Sequence, residues 1–185
     1  MNNTSPGLLR GFDLATLRAR IQNPRIQPFY RLLYDTTRQA AEKDLLTDEI
    51  PAGGWCHSLY FTPRVLEAGL LYALTGEKWA VDHVARQIAK LERVYADPPH
   101  SFYREIKPFK GKPSAYFSYV HTALAVQLCR EALDPVLVAR FLALTHARLL
   151  EDRVNCPYVF THFNAAHNAV VTHAISTAIT ALIFG

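Results

Sequence analysis

The stretch "FTPRVLEAGLLYALTGEKWAVDHVARQIAKL", residues 61–91, decides the fold. Thr62 and Pro63 form an N-cap and first-turn pair, and Val65, Leu66, Gly69, Leu70, Ala73 and Leu74 follow at helical spacing. Gly76 stops that helix, because a residue without Cβ accepts the left-handed conformation in which helices end. A second helix is expected at once, from about Glu77 to Tyr95, with Trp79, Val81, Val84, Ile88 and Leu91 on its apolar side. So short a break makes the two helices fold back on one another as an antiparallel hairpin.

The same signals recur on either side. Asp13 can cap a helix that runs to about Ile21, and Pro28 opens a longer one with Phe29, Leu32 and Leu33 on its apolar side. Downstream, Ser114 caps a helix to about Leu133, and Asp134 with Pro135 starts another that ends near Leu150. The break between them is again short enough for a hairpin. A last helix is expected from about Asn164 to Phe184, apolar all round and therefore covered on every side. Seven helices and no alternating strand pattern describe an all-α chain, read as one domain over residues 1–185. With no fixed repeat of roughly 34 residues, the hairpins point away from a regular solenoid and toward a bundle or part of a ring.

Composition sets the remaining limits. Half of the 185 residues are apolar and 19% are charged, which excludes a disordered polyelectrolyte. A net charge of +4 is mild for a nucleic-acid binder, and no nucleic-acid partner is expected. Cys56, Cys129 and Cys156 are odd in number and far apart, so neither a disulfide framework nor a zinc ribbon is indicated. No signal peptide is visible, which gives a cytoplasmic reading of the chain as it stands, and a periplasmic or secreted one if its N-terminus is trimmed. The apolar run Ala169–Phe184 carries Thr172, His173, Ser176, Thr177 and Thr180 and falls short of the ~20 residues a membrane span needs. No membrane partner is expected.

The chemistry concentrates in "THFNAAHNAVVTH", residues 161–173, inside a tail with no charged side chain from Val154 to Gly185. On a helix starting at Asn164, the residues Asn164, Asn168 and Thr172 stand four apart and form one polar stripe, with His167 beside it. Such a stripe faces either a polar partner that pins the helix or a wet cavity, because an unsatisfied buried amide costs about 1–3 kcal/mol. His162, His167 and His173 are spaced five and six apart, not the three or four that puts two imidazoles on one helical face, so no metal is expected.

Residues 61–91, the aromatic-led "SAYFSYVHTALAVQLCREALDP" and the final "HFNAAHNAVVTHAISTAITALIFG" together resemble the helical N-terminal domain of heparinase II/III-like polysaccharide lyases and their alginate lyase relatives. The resemblance runs from about Arg31 to Gly185 and is most specific in the last helix. It implies an incomplete α/α toroid followed by an antiparallel β-sandwich domain; residues 1–185 would supply the N-terminal part of the toroid without that β-sandwich, and no cofactor is expected. It also implies β-elimination on a uronic-acid-containing polysaccharide or oligosaccharide. Asn164, Asn168 and His167 would then neutralise the uronate, with His162 or His167 as base, and a catalytic Tyr lying beyond the end of the chain.

Further candidate contacts surround that stripe. Residues 98–113 carry Arg104, Lys107, Lys110 and Lys112 against the single Glu105, interleaved with His100, Phe102, Tyr103 and Phe109. Cations beside aromatic faces suit acidic sugars, and they suit equally a solvated loop whose rings pack inward. Tyr116 is a candidate cavity residue or a core residue, and Trp55 and His57 are candidates for the rim of a sugar cleft or for anchoring their own loop. A non-catalytic helical module that binds glycans or protein partners fits the same residues.

Overall fold

The computed structural model describes residues 13–47, 62, 64–96, 116–155, 178–179 and 181–182, and among these every regular element is an α-helix. In chain order they are α1 (Leu14–Arg20), α2 (Gln27–Thr47), α3 (Val65–Thr75), α4 (Lys78–Ala96), α5 (Tyr116–Cys129) and α6 (Pro135–Asn155). The Ser114 cap and most of the expected last helix lie outside the described residues.

Helix ends follow local chemistry. The Asp13 carboxylate accepts the N–H groups of Ala15 and Thr16, each at 3.0 Å, and so caps α1 as its sequence position predicts. Gly76 closes α3 at φ 74°, its N–H donating to the Tyr72 carbonyl at 2.7 Å. At the other end of α3 the start differs from expectation. Arg64 occupies the cap position in the left-handed region, φ 49°, with no side-chain cap bond. Thr62 is buried two residues before it. Asp134 behaves as expected: its side chain accepts the Val136 N–H at 2.8 Å and Pro135 is the first residue of α6.

α3 is the hub, packing against α1, α2, α4 and α5. The two-residue link Gly76–Glu77 folds α4 back along α3, as the hairpin reading requires. The closest crossing is between α3 and α5. A Cβ placed on Gly69 would stand 2.7 Å from the Ala125 Cα and 2.9 Å from its Cβ, so glycine is what lets the two backbones meet. Around that crossing the core is continuous: Val65, Ala68, Val84, Ile88, Leu91, Ala123, Val126, Cys129 and Phe141 are all buried in one cluster. Each large apolar member contributes roughly 1.5–3 kcal/mol relative to an exposed position. At the second short break the expected hairpin of α5 and α6 is not the main packing: among the described residues α6 packs chiefly against α4, where Arg140 donates to Glu92 at 2.5 Å. Val138 and Phe141 carry its inner face into the same cluster, which Leu133 joins from the preceding turn.

Two faces differ from the sequence reading. α2 turns inward on Thr37, Ala41 and Asp44, while Phe29 is 72% and Leu32 64% exposed. Leu33 alone of the three expected residues is half-buried. The inward positions are small or polar because α2 faces a polar stretch of α4, so hydrophobicity alone picked the wrong side. In the last helix Ile179 packs against the core, yet Ala178, Ala181 and Leu182 are exposed, Leu182 at 58%. The rest of the expected last helix lies outside the described residues.

Candidate functional site

The polar chemistry that the described residues bring together lies in the seam between α2 and α4. Along α4, His83, Gln87 and Lys90 stand four and three apart, so one helical face carries all three, with Arg86 at its edge. From α2, Asp44 meets them. Its Oδ2 accepts the Gln87 amide at 2.6 Å, and its Oδ1 forms a short contact with the Lys90 ammonium. Asp44, His83, Gln87 and Lys90 are all buried, and the Arg86 side chain stays 30% exposed at the mouth of the seam.

Geometry assigns roles within the cluster. His83 Nδ1 lies 3.3 Å from Arg86 Nη2 and 3.4 Å from Gln87 Nε2. Both neighbours are donors, so Nδ1 is placed to accept and the ring hydrogen belongs on Nε2. Arg86 Nη2 also reaches the Ala41 carbonyl at 3.4 Å. The Arg86 Nε is buried and donates to nothing, with Asp44 Oδ2 at 3.9 Å, beyond hydrogen-bond reach. Gln87 Oε1 and Thr37 Oγ1 are likewise buried without a hydrogen-bond partner. One carboxylate thus faces two fixed cations, a local surplus of positive charge.

An aromatic group borders this seam. Tyr34 of α2 donates to Glu77 Oε2 at 2.6 Å and stands edge-on to Trp79, ring centroids 5.7 Å apart at 82°. Trp79 Nε1 donates to the same Glu77 oxygen at 2.5 Å, and the Arg38 guanidinium lies 5.1 Å over the indole ring. The hydrogen bond to Glu77, with burial second, pushes the Tyr34 phenol above its ordinary range. Tyr34 therefore holds its proton firmly.

Of the residues expected from the sequence to form the site, Tyr116 is the first residue of α5. Trp55, His57, Tyr103, Arg104, Lys107, His162, Asn164, His167, Asn168 and Thr172 lie outside the described residues. The seam residues Asp44, His83, Arg86, Gln87 and Lys90 went unread in the sequence. The signal was present as a polar stripe at 83, 87 and 90 beside the apolar stripe at 84, 88 and 91. A polar stripe is ordinarily a solvated helix face, and only a facing helix reveals that this one is interior. Among the described residues no group of three or more His, Cys, Asp or Glu side chains could hold a metal ion, and no helix is long and apolar enough to cross a membrane. Comparison with family models, with curated proteins and with solved structures found no match.

Proposed function

We propose that this chain is the N-terminal helical part of a polysaccharide-lyase-like protein that binds a uronic-acid-containing polysaccharide and takes part in its cleavage by β-elimination. The supporting observation is the Arg86 side chain, 30% exposed at the edge of a seam where Arg86 and Lys90 outnumber Asp44. A guanidinium edge of this kind matches a carboxylate, and neutralising the uronate carboxylate is the first requirement for removing the weakly acidic proton next to it. In the elimination a base takes that proton, the electron pair forms a carbon–carbon double bond, and the glycosidic oxygen leaves with a proton from an acid. His162 or His167 is proposed as base, with Asn164 and Asn168 as further donors to the carboxylate.

The test is incubation of the protein with alginate, heparan and hyaluronan, following the ultraviolet absorbance of an unsaturated uronate. Rising absorbance that drops about tenfold or more in Arg86→Gln, with the helical circular dichroism unchanged, is the expected result. Absence of product from every acidic polymer, in a version carrying the whole helical ring, would sink the cleavage reading. A second reading is a glycan-binding module without turnover, resting on the same partly exposed Arg86. It predicts retention of the protein on immobilised acidic polymer, without product.

A further inference from the structure

Neutral groups hold the Arg86 head in place. Its Nη2 lies 3.3 Å from His83 Nδ1 and 3.4 Å from the Ala41 carbonyl, with both acceptors on the seam side. The nearby carboxylate is committed elsewhere: Asp44 takes the Gln87 amide on Oδ2 and the Lys90 ammonium on Oδ1, and Oδ2 stands 3.9 Å from Arg86 Nε, beyond hydrogen-bond reach. Of the two groups that hold Nη2, the Ala41 carbonyl is main chain and would be there with any residue at that position. His83 is a side-chain choice. It is fully buried, so packing fixes the plane of its ring, and it precedes Arg86 by three on α4, the spacing that brings two side chains of one helix together.

We propose that His83 is a positioning residue for Arg86: as a neutral acceptor it fixes the guanidinium at the mouth of the seam without cancelling its charge. This role rests on reading Arg86 as a contact for a carboxylate, and it names the group that makes the contact preorganised. An arginine side chain left to itself populates many rotamers, and a ligand that immobilises it loses part of the binding free energy to that ordering. A carboxylate in place of the imidazole would hold the head equally well and neutralise it, whereas an apolar side chain would leave it loose. An imidazole with Nδ1 unprotonated does neither. The exposed 30% of the Arg86 side chain is then the part turned to the ligand.

The experiment measures binding of the protein to alginate, heparan and hyaluronan for wild type, His83→Asn and His83→Leu, each also in the Arg86→Gln background. Asparagine carries an acceptor oxygen where the imidazole carries Nδ1, and leucine carries none. Wild type and His83→Asn should bind alike, and His83→Leu about three- to tenfold more weakly, the effect of ordering one long side chain. In the Arg86→Gln background the position-83 variants should all bind alike, because no guanidinium is left to hold. Circular dichroism separates these effects from loss of fold. His83→Leu binding as tightly as wild type overturns the role, and so does a loss of equal size with and without Arg86. A folded His83→Asn variant as weak as His83→Leu also overturns it. Nitrogen NMR of the wild type gives a readout that needs neither variant nor ligand: His83 Nδ1 should show the resonance of an unprotonated, hydrogen-bond-accepting nitrogen, and a protonated Nδ1 at neutral pH overturns the role whatever the polymers do. Wild-type protein that binds none of the three polymers, with Nδ1 unprotonated, shows that the carboxylate reading of Arg86 is what has failed, and the positioning role falls with it.

Discussion

At the residue scale, Gly69 inside α3 and Gly76 at its end separate two meanings of the same amino acid. Gly69 is required by space and Gly76 by backbone angle, for nothing lies within 4 Å of a Cβ built at Gly76. Gly69→Ala drives a methyl into the Ala125 backbone and should destabilise by about 1–3 kcal/mol, whereas Gly76→Ala should lose about 1–2 kcal/mol to the positive φ alone. Urea titration of the two variants measures both. The seam offers a sharper contrast. Asp44→Ala leaves Lys90 buried and uncompensated at a cost of about 3–5 kcal/mol, while Asp44→Leu combined with Lys90→Met removes both charges and should cost less, about 1–3 kcal/mol, because the Gln87 amide still loses its acceptor. His121 adds a pH dependence. Burial, opposed in part by Glu67, holds its imidazole below the ordinary value, so the folded state favours the neutral ring. Its contribution is complete above pH ~6.5 and declines as acid protonates the unfolded chain first. A His121→Gln variant should therefore show a shallower loss of melting temperature on acidification below that point.

At the element scale, the hairpin of α3 and α4 was legible because its signals are local: an apolar stripe, a glycine stop and a fresh amphipathic run. The orientation of α2 was not. Phe29 and Leu32 are more hydrophobic than Thr37 and Asp44, yet Thr37 and Asp44 are the buried ones. The choice is made by α4, whose His83, Gln87 and Lys90 offer polar partners that no single-helix pattern shows. The α3 start was misplaced for a related reason, since Thr62 and Pro63 fit a cap by type while Arg64 holds the cap position by conformation. α1 is short, and no residue in it is buried. Arg18 ties it to α3 through the Leu74 carbonyl at 3.1 Å and the Ala73 carbonyl at 2.5 Å, groups that a helix end leaves without internal partners. Arg18→Ala should free α1, raising amide hydrogen exchange there by about tenfold while leaving α4 and α5 unchanged.

At the scale of the whole molecule, the sequence conveyed the all-helical class and the position of most breaks. The candidate site divided differently. The Asn and His stripe in the tail stood out because uncharged polar residues are conspicuous in an apolar run. The α2–α4 seam stayed hidden because its charges look like ordinary surface. Under the proposed function both places meet anionic groups, one through amides and imidazoles and the other through Arg86. Where Arg86 meets a carboxylate, the part of glycan binding that Arg86→Gln removes should be less sensitive to salt than the part that remains, since a partly buried charge is screened less. Binding isotherms at rising ionic strength, in wild type and Arg86→Gln, would check that ordering.

Cys129 lies at the crossing of α3 and α5, with its Sγ 4.0 Å from the Gly69 carbonyl. Burial pushes the thiol up to about 12. At neutral pH it is protonated and enclosed, so an alkylating reagent can reach it only when α3 and α5 part. The residue is thereby a clock for that event. Labelling at Cys129, followed by peptide mass spectrometry, reads the frequency with which the hub opens, and Gly69→Ala should make the clock run faster.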